Sequence, residues 1–171
     1  IEAGMPAVSK YDAQAIKEIV KLKLPAEIFA FSRCMVEDVK RAVDTGVKGI
    51  VMEVPASEHI IKYAYKWSLE KAVETSIEAT RYARSQGLYV VFFPIDASRA
   101  EMGWYLNTME RVATEGHMDA MALVDTFGVL SPHVVPKVAL CDPDLTLALP
   151  PLLTAATGMD AIAHCIETFM A

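Results

Sequence analysis

The sequence is poor in the features that mark several protein classes. It has three cysteines, Cys34, Cys141 and Cys165, and no Cys-x-x-Cys pair, which excludes a disulfide framework and fits the reduced thiols of a cytoplasmic protein. No apolar run reaches membrane-spanning length, because Pro150 and Pro151 interrupt the longest apolar stretch, at 147–156. There is no secretory signal pattern, and no Gly-rich turn of the kind that cradles a dinucleotide. The 16 basic residues are scattered among 22 acidic ones, and the net charge of −6 argues against a nucleic-acid partner. Linkers, low-complexity tracts and short repeats are also missing. An initiating methionine is missing too: Ile1 already sits in a strand-like run, which raises the expectation of a fragment or a recombined chain.

What is present is core-forming material arranged with a clear rhythm. Hydrophobic residues make up 53% of the chain, enough for a packed globular unit. Short runs of branched and aromatic residues at 1–4, 27–32, 49–54, 88–93 and 119–124 read as five strands. Between them, segments with apolar residues at helical spacing occupy 12–22, 37–45, most of 59–86, and 99–114. Gly46 and Gly87 stand where helices need a left-handed residue to stop, and Ser131 stands as the cap of one more helix. The fold class is therefore α/β: a partial (β/α) barrel of about five parallel strand–helix units, followed by a C-terminal helical segment. Five strands cannot close an eight-stranded barrel, so association into a homo-oligomer is one way to cover open sheet edges.

Four motifs fall in order along residues 1–134: Ile-Glu-Ala-Gly-Met-Pro-Ala at 1–7, Arg33-Cys34 ahead of Glu37-Asp38, Asp96-Ala97-Ser98-Arg99, and Asp125-Thr126-Phe127-Gly128 followed by Pro132. As an ordered set they resemble the isopropylmalate synthase and homocitrate synthase family, metal-dependent barrel enzymes that condense acetyl-CoA with a 2-oxo acid. The resemblance implies an acyltransferase with acetyl-CoA and a 2-oxo acid as partners. It also implies substrate-binding roles for Arg33, Ser57 and Thr126, the last of them holding the substrate carboxylate. The metal of that family is held by an Asp of the first strand and a His-x-His after the DTxG strand, and residues 1–134 contain neither. Three further departures put apolar side chains at family positions: Met35 for a His, Ile61 for an Arg ahead of Lys62-Tyr63, and Ile95 for a Glu. Asp96 and Arg99 read as a helix cap with a local ion pair, His59 and His117 as solvated residues, and Glu2 as a structural side chain facing a polar barrel interior.

The remaining stretch, 135–171, carries Asp142-Pro143-Asp144-Leu145-Thr146, Leu149-Pro150-Pro151, and 157–167, Thr-Gly-Met-Asp-Ala-Ile-Ala-His-Cys-Ile-Glu. This stretch resembles the iron-dependent alcohol dehydrogenases. Asp160 and His164 are four apart on one helical face, a spacing that suits a divalent metal such as iron or zinc. The competing reading is an amphipathic helix packed on the open sheet. The expectation is thus a chimera joined near Val135–Pro136, in which the synthase-like part is inactive alone. A dehydrogenase-type oxidoreductase and a non-catalytic scaffold stand as the alternatives.

Overall fold

The computed structural model describes residues 1–129, built on a four-stranded parallel sheet in the order β1-β2-β3-β4. The strands are β1 (Phe29–Arg33), β2 (Gly49–Pro55), β3 (Tyr89–Ile95) and the short β4 (Ala120–Met121). A fifth strand-like segment lies beside β1. Glu2 bridges Phe29 in parallel, and Ala3 N–H donates to the Phe29 carbonyl, Phe29 N–H to that of Ile1, and Phe31 N–H to that of Gly4. Sequential order and parallel pairing require a crossover between every pair of strands, and helices supply them: α1 (Lys10–Lys21), α2 (Val36–Val43), α3 (Leu69–Ser85) and α4 (Met102–Glu115).

One face of the sheet carries the core. Ala30, Ile50, Met52, Val54, Val90 and Phe92 alternate along their strands and join Ile16, Val39, Ala42, Val73, Ile77 and Val112 of the helices in a single buried cluster. Each helix presents the stripe its sequence dictates: α3, for example, buries Val73, Ser76, Ile77, Thr80 and Ala83 at three- and four-residue spacing. The opposite face carries Phe29, Phe31, Val51, Val91 and Phe93, which lie outside that cluster. The Phe31 and Phe93 rings meet edge-on at 5.9 Å between centroids. Gly49 makes room for the Phe29 ring, since a Cβ there would sit 2.5 Å from it and the ring would have to shift.

Caps fix the helix starts. Ser9 Oγ accepts from Tyr11 N and Asp12 N, Ser68 Oγ from Lys71 N, and the Glu101 carboxylate from Gly103 N and Trp104 N. The continuous helix expected across most of 59–86 is divided. Ile60–Tyr65 forms a π-helical turn that ends at Lys66, which adopts a left-handed φ of 57°. The chain then extends through Trp67 until Ser68 starts α3. The reason is local, since the Ser68 side chain offers a new N-terminus that competes with continuation. Gly46 (φ 82°) and Gly87 (φ 76°) follow α2 and α3 as expected. No described helix is long and apolar enough to cross a membrane. Ser131, the dehydrogenase-like stretch and its Asp160–His164 pair lie outside the described residues.

Candidate functional site

The strands all run the same way, so their C-terminal ends gather along one edge of the unit, where Arg33, Pro55, Ile95 and the turn after β4 meet. Asp96 is the centre of this edge. It follows β3 directly, is fully buried, and adopts a left-handed backbone with φ 58°. A non-Gly residue in that region is uncommon and calls for surrounding contacts that hold it there. Arg99 Nε and Nη2 each donate to the Asp96 carboxylate at 2.7 Å, and Ser57 Oγ donates to Asp96 Oδ2. The Asp96 amide donates to Thr126 Oγ1 at 2.8 Å. Burial works to raise the Asp96 pKa, but the hydrogen bonds from Arg99 and Ser57 and the Arg99 charge outweigh it and hold the carboxyl below its ordinary value.

Neighbouring contacts lock the frame. The Arg99 guanidinium lies over the Phe127 ring at 4.2 Å, Ala97 N–H donates to the Val124 carbonyl, and Ser98 Oγ donates to Asp125 Oδ1 at 2.5 Å. Asp125 Oδ1 also accepts from Val129 N. The Asp-Thr-Phe-Gly turn, with Val124 just before it, is thereby tied to the turn after β3 at four points. Of the expected site residues, Ser57 and Thr126 come together through Asp96. They differ in access: Ser57 is only 2% exposed, whereas Thr126 is exposed.

Arg33 belongs to a second group on the same edge. Its Nε and Nη2 clasp Asp38 at 2.6 and 3.1 Å, which raises the guanidinium pKa. Arg33, Glu53 and Phe93 form one row across the sheet, on the face opposite the main core cluster. Tyr65 Oη donates to Glu53 Oε1 at 2.9 Å. Burial, then the bond to Glu53 and its charge, raise the Tyr65 pKa strongly. Sequence reasoning missed Glu53 and Tyr65. The available signal was Glu53 itself, the one acidic residue in an otherwise apolar β2.

Asp96 makes the local ion pair expected with Arg99, but its side chain caps no helix and reaches instead to Ser57, 39 positions earlier. His117 is not a freely solvated residue. Its Nδ1 lies 2.6 Å from Arg84 Nη1 and its Nε2 lies 3.0 Å from Asp119 Oδ1, at the opposite end of the strands. His59 is exposed and packs on the Tyr63 ring. Ile61 is 1% exposed, which suits the apolar residue found there.

Among the described residues no three His, Cys, Asp or Glu side chains gather to hold a metal ion. The strand-end carboxylates of Asp38 and Asp96 are engaged by arginines, and that of Asp125 by Ser98 and Val129 N–H. The described part of the chain therefore does not fit a resident divalent metal.

Comparison with known proteins gives this edge its setting. The HMGL-like family model matches residues 1–139. A 2-isopropylmalate synthase of Methanocaldococcus jannaschii is 32% identical over 96% of this chain and 34% of its own length. A homocitrate synthase of the same organism is 33% identical over 78% of the chain and 33% of its own length. A 2-isopropylmalate synthase of Caldanaerobacter subterraneus is 30% identical over 77% of the chain and 34% of its own length. The chain thus spans about a third of the length of these curated relatives. An alignment covering 96% of the chain runs through the join expected at Val135–Pro136, so neither it nor the family model gives ground for a second family or a chimera there. With its parallel sheet, its strand-end motifs and the match over residues 1–139, the chain belongs to the HMGL-like family.

Proposed function

We propose that this chain forms the 2-oxo acid-binding edge of a synthase that condenses acetyl-CoA with a 2-oxo acid. The observation that carries the reading is the bonded network that brings Ser57, Asp96 and Thr126 to one edge of the sheet. Thr126 accepts the Asp96 amide proton through Oγ1, so its own O–H is available to donate to a carboxylate. Arg33 commits Nε and Nη2 to Asp38 and is nearly half exposed, which leaves a cation facing the same edge. The isopropylmalate and homocitrate synthases among the relatives support this substrate class. Metal-dependent activation of the 2-oxo carbonyl is the chemistry the family implies, but the described residues hold no ligand set for it. What they do is bind and orient the acid. On this reading the chain acts in a larger assembly of barrel strands, and self-association is one way to provide it.

The test is calorimetric titration of the chain with pyruvate, the smallest 2-oxo acid, and with the bulkier 2-oxoisovalerate. Binding of either in the millimolar range or tighter is expected. It weakens at least tenfold in Arg33→Ala and Thr126→Val, the order of one charged or well-placed hydrogen bond. Absence of binding by both acids, with the chain folded, defeats the reading.

A further inference from the structure

We infer that Asp96 is a positioning residue that fixes opposite hydrogen-bonding polarities on the Ser57 and Thr126 hydroxyls. This inference rests on the binding role proposed above only for its ligand, and its geometry stands alone. Ser57 has a single proton, and it goes to the Asp96 carboxylate. The Ser57 oxygen is left as an acceptor, met at 3.4 Å by the Ile60 N–H at the start of the π-helical turn. Thr126 is the reverse: its oxygen accepts the Asp96 amide proton at 2.8 Å, so its O–H is directed elsewhere. One residue therefore uses its carboxylate on the segment after β2 and its amide on the turn after β4.

The left-handed backbone makes this double use possible, because it turns the amide toward Thr126 while the carboxylate faces Ser57 and Arg99. Arg99 keeps the carboxylate ionised, and an ionised carboxylate only accepts, so Ser57 cannot reverse its bond. Neither hydroxyl is bonded to the other, and the hydrogen-bonded path between them runs through Asp96. The consequence for specificity is direct: the exposed Thr126 hydroxyl donates to an anionic group, and the buried Ser57 contributes by holding Asp96, not by touching ligand.

The experiment follows the Asp96 carboxyl by carbon-13 NMR as pH falls, in the full chain and in Ser57→Ala, Thr126→Ser, Thr126→Val and Asp96→Asn, with pyruvate affinity measured in parallel. Ser57→Ala is expected to move the Asp96 midpoint upward, since a bond to the ionised form is removed. Thr126→Val is expected to shift the Asp96 amide resonance and speed its hydrogen exchange, while Thr126→Ser restores both. Pyruvate affinity is expected to fall about tenfold in Asp96→Asn and Thr126→Val alike, and to stay within about twofold of the parent in Thr126→Ser. An Asp96 midpoint unmoved by Ser57→Ala, or undiminished pyruvate binding in a folded Asp96→Asn chain, overturns the inference. If the parent chain binds no 2-oxo acid, the proposed function fails, and the Asp96 midpoint and amide decide the positioning role by themselves.

Discussion

At the scale of single residues, burial and bonding separate groups the sequence presents as equals. Cys34 is 3% exposed, and its Sγ–H points at the Ser76 carbonyl. Burial pushes its thiol up to about 12. Thiolate is the reactive form, so labelling of Cys34 at pH 8 is expected to be at least about a thousandfold slower in the folded chain than in denaturant. Site-resolved mass spectrometry after thiol labelling checks this. The Asp96 carboxyl gives a pH prediction. Its folded pKa lies below the ordinary Asp value, so the stability it contributes is present above about pH 4 and is lost as pH falls through the lower folded value. Asp96→Asn is expected to lower stability by about 1–3 kcal/mol at pH 7, and the gap from the parent chain is expected to close in strong acid. Urea titrations at several pH values measure both. Arg33, Ser57 and Thr126 were legible as candidates only, Arg33 and Thr126 from the motifs that contain them and Ser57 from the family resemblance. The role of Asp96 was not, because nothing in a linear sequence shows that a non-Gly residue turns left-handed or reaches a serine 39 positions away.

At the scale of elements, Gly116 is held by contact. It ends α4. A Cβ there would come within 2.7 Å of the Val112 carbonyl oxygen and 2.5 Å of Thr80 Oγ1, and the carbonyl belongs to the helix backbone and cannot step aside. Gly116→Ala is expected to cost about 1–3 kcal/mol by overpacking, although alanine is the better helix former. The reverse substitution at an exposed helix position sharpens the test. Ala113 lies exposed on α4, and Ala113→Gly is expected to cost only about 1 kcal/mol. Thermal melts of the two variants decide it, and equal small losses would remove the contact argument. The strand and helix pattern was read from periodicity, and β1, β2 and β3 lie within a residue or two of expectation. The interruption at 66–68 was not, because the residues on both sides keep a helical composition, and the break depends on one serine cap and one left-handed lysine.

At the scale of the molecule, the described unit is a sheet with one face packed and the other open to whatever completes the barrel. Adjacent residues of β3 measure this asymmetry. Phe92 points into the helix-covered core and is fully buried, while its neighbour Phe93 points the other way and is only half-buried. Phe92→Ala removes a side chain that the core cannot replace and is expected to cost about 3–5 kcal/mol. Phe93→Ala loses one edge-on contact with Phe31 and part of its burial, and is expected to cost less than half as much. Denaturant unfolding at low protein concentration gives both values. Repeating it at a concentration a hundredfold higher tests the homo-oligomer. If copies associate through the open face, the cost of Phe93→Ala rises with concentration toward that of Phe92→Ala, because association adds stability by mass action. If the cost stays constant, the open face is not an interface between copies.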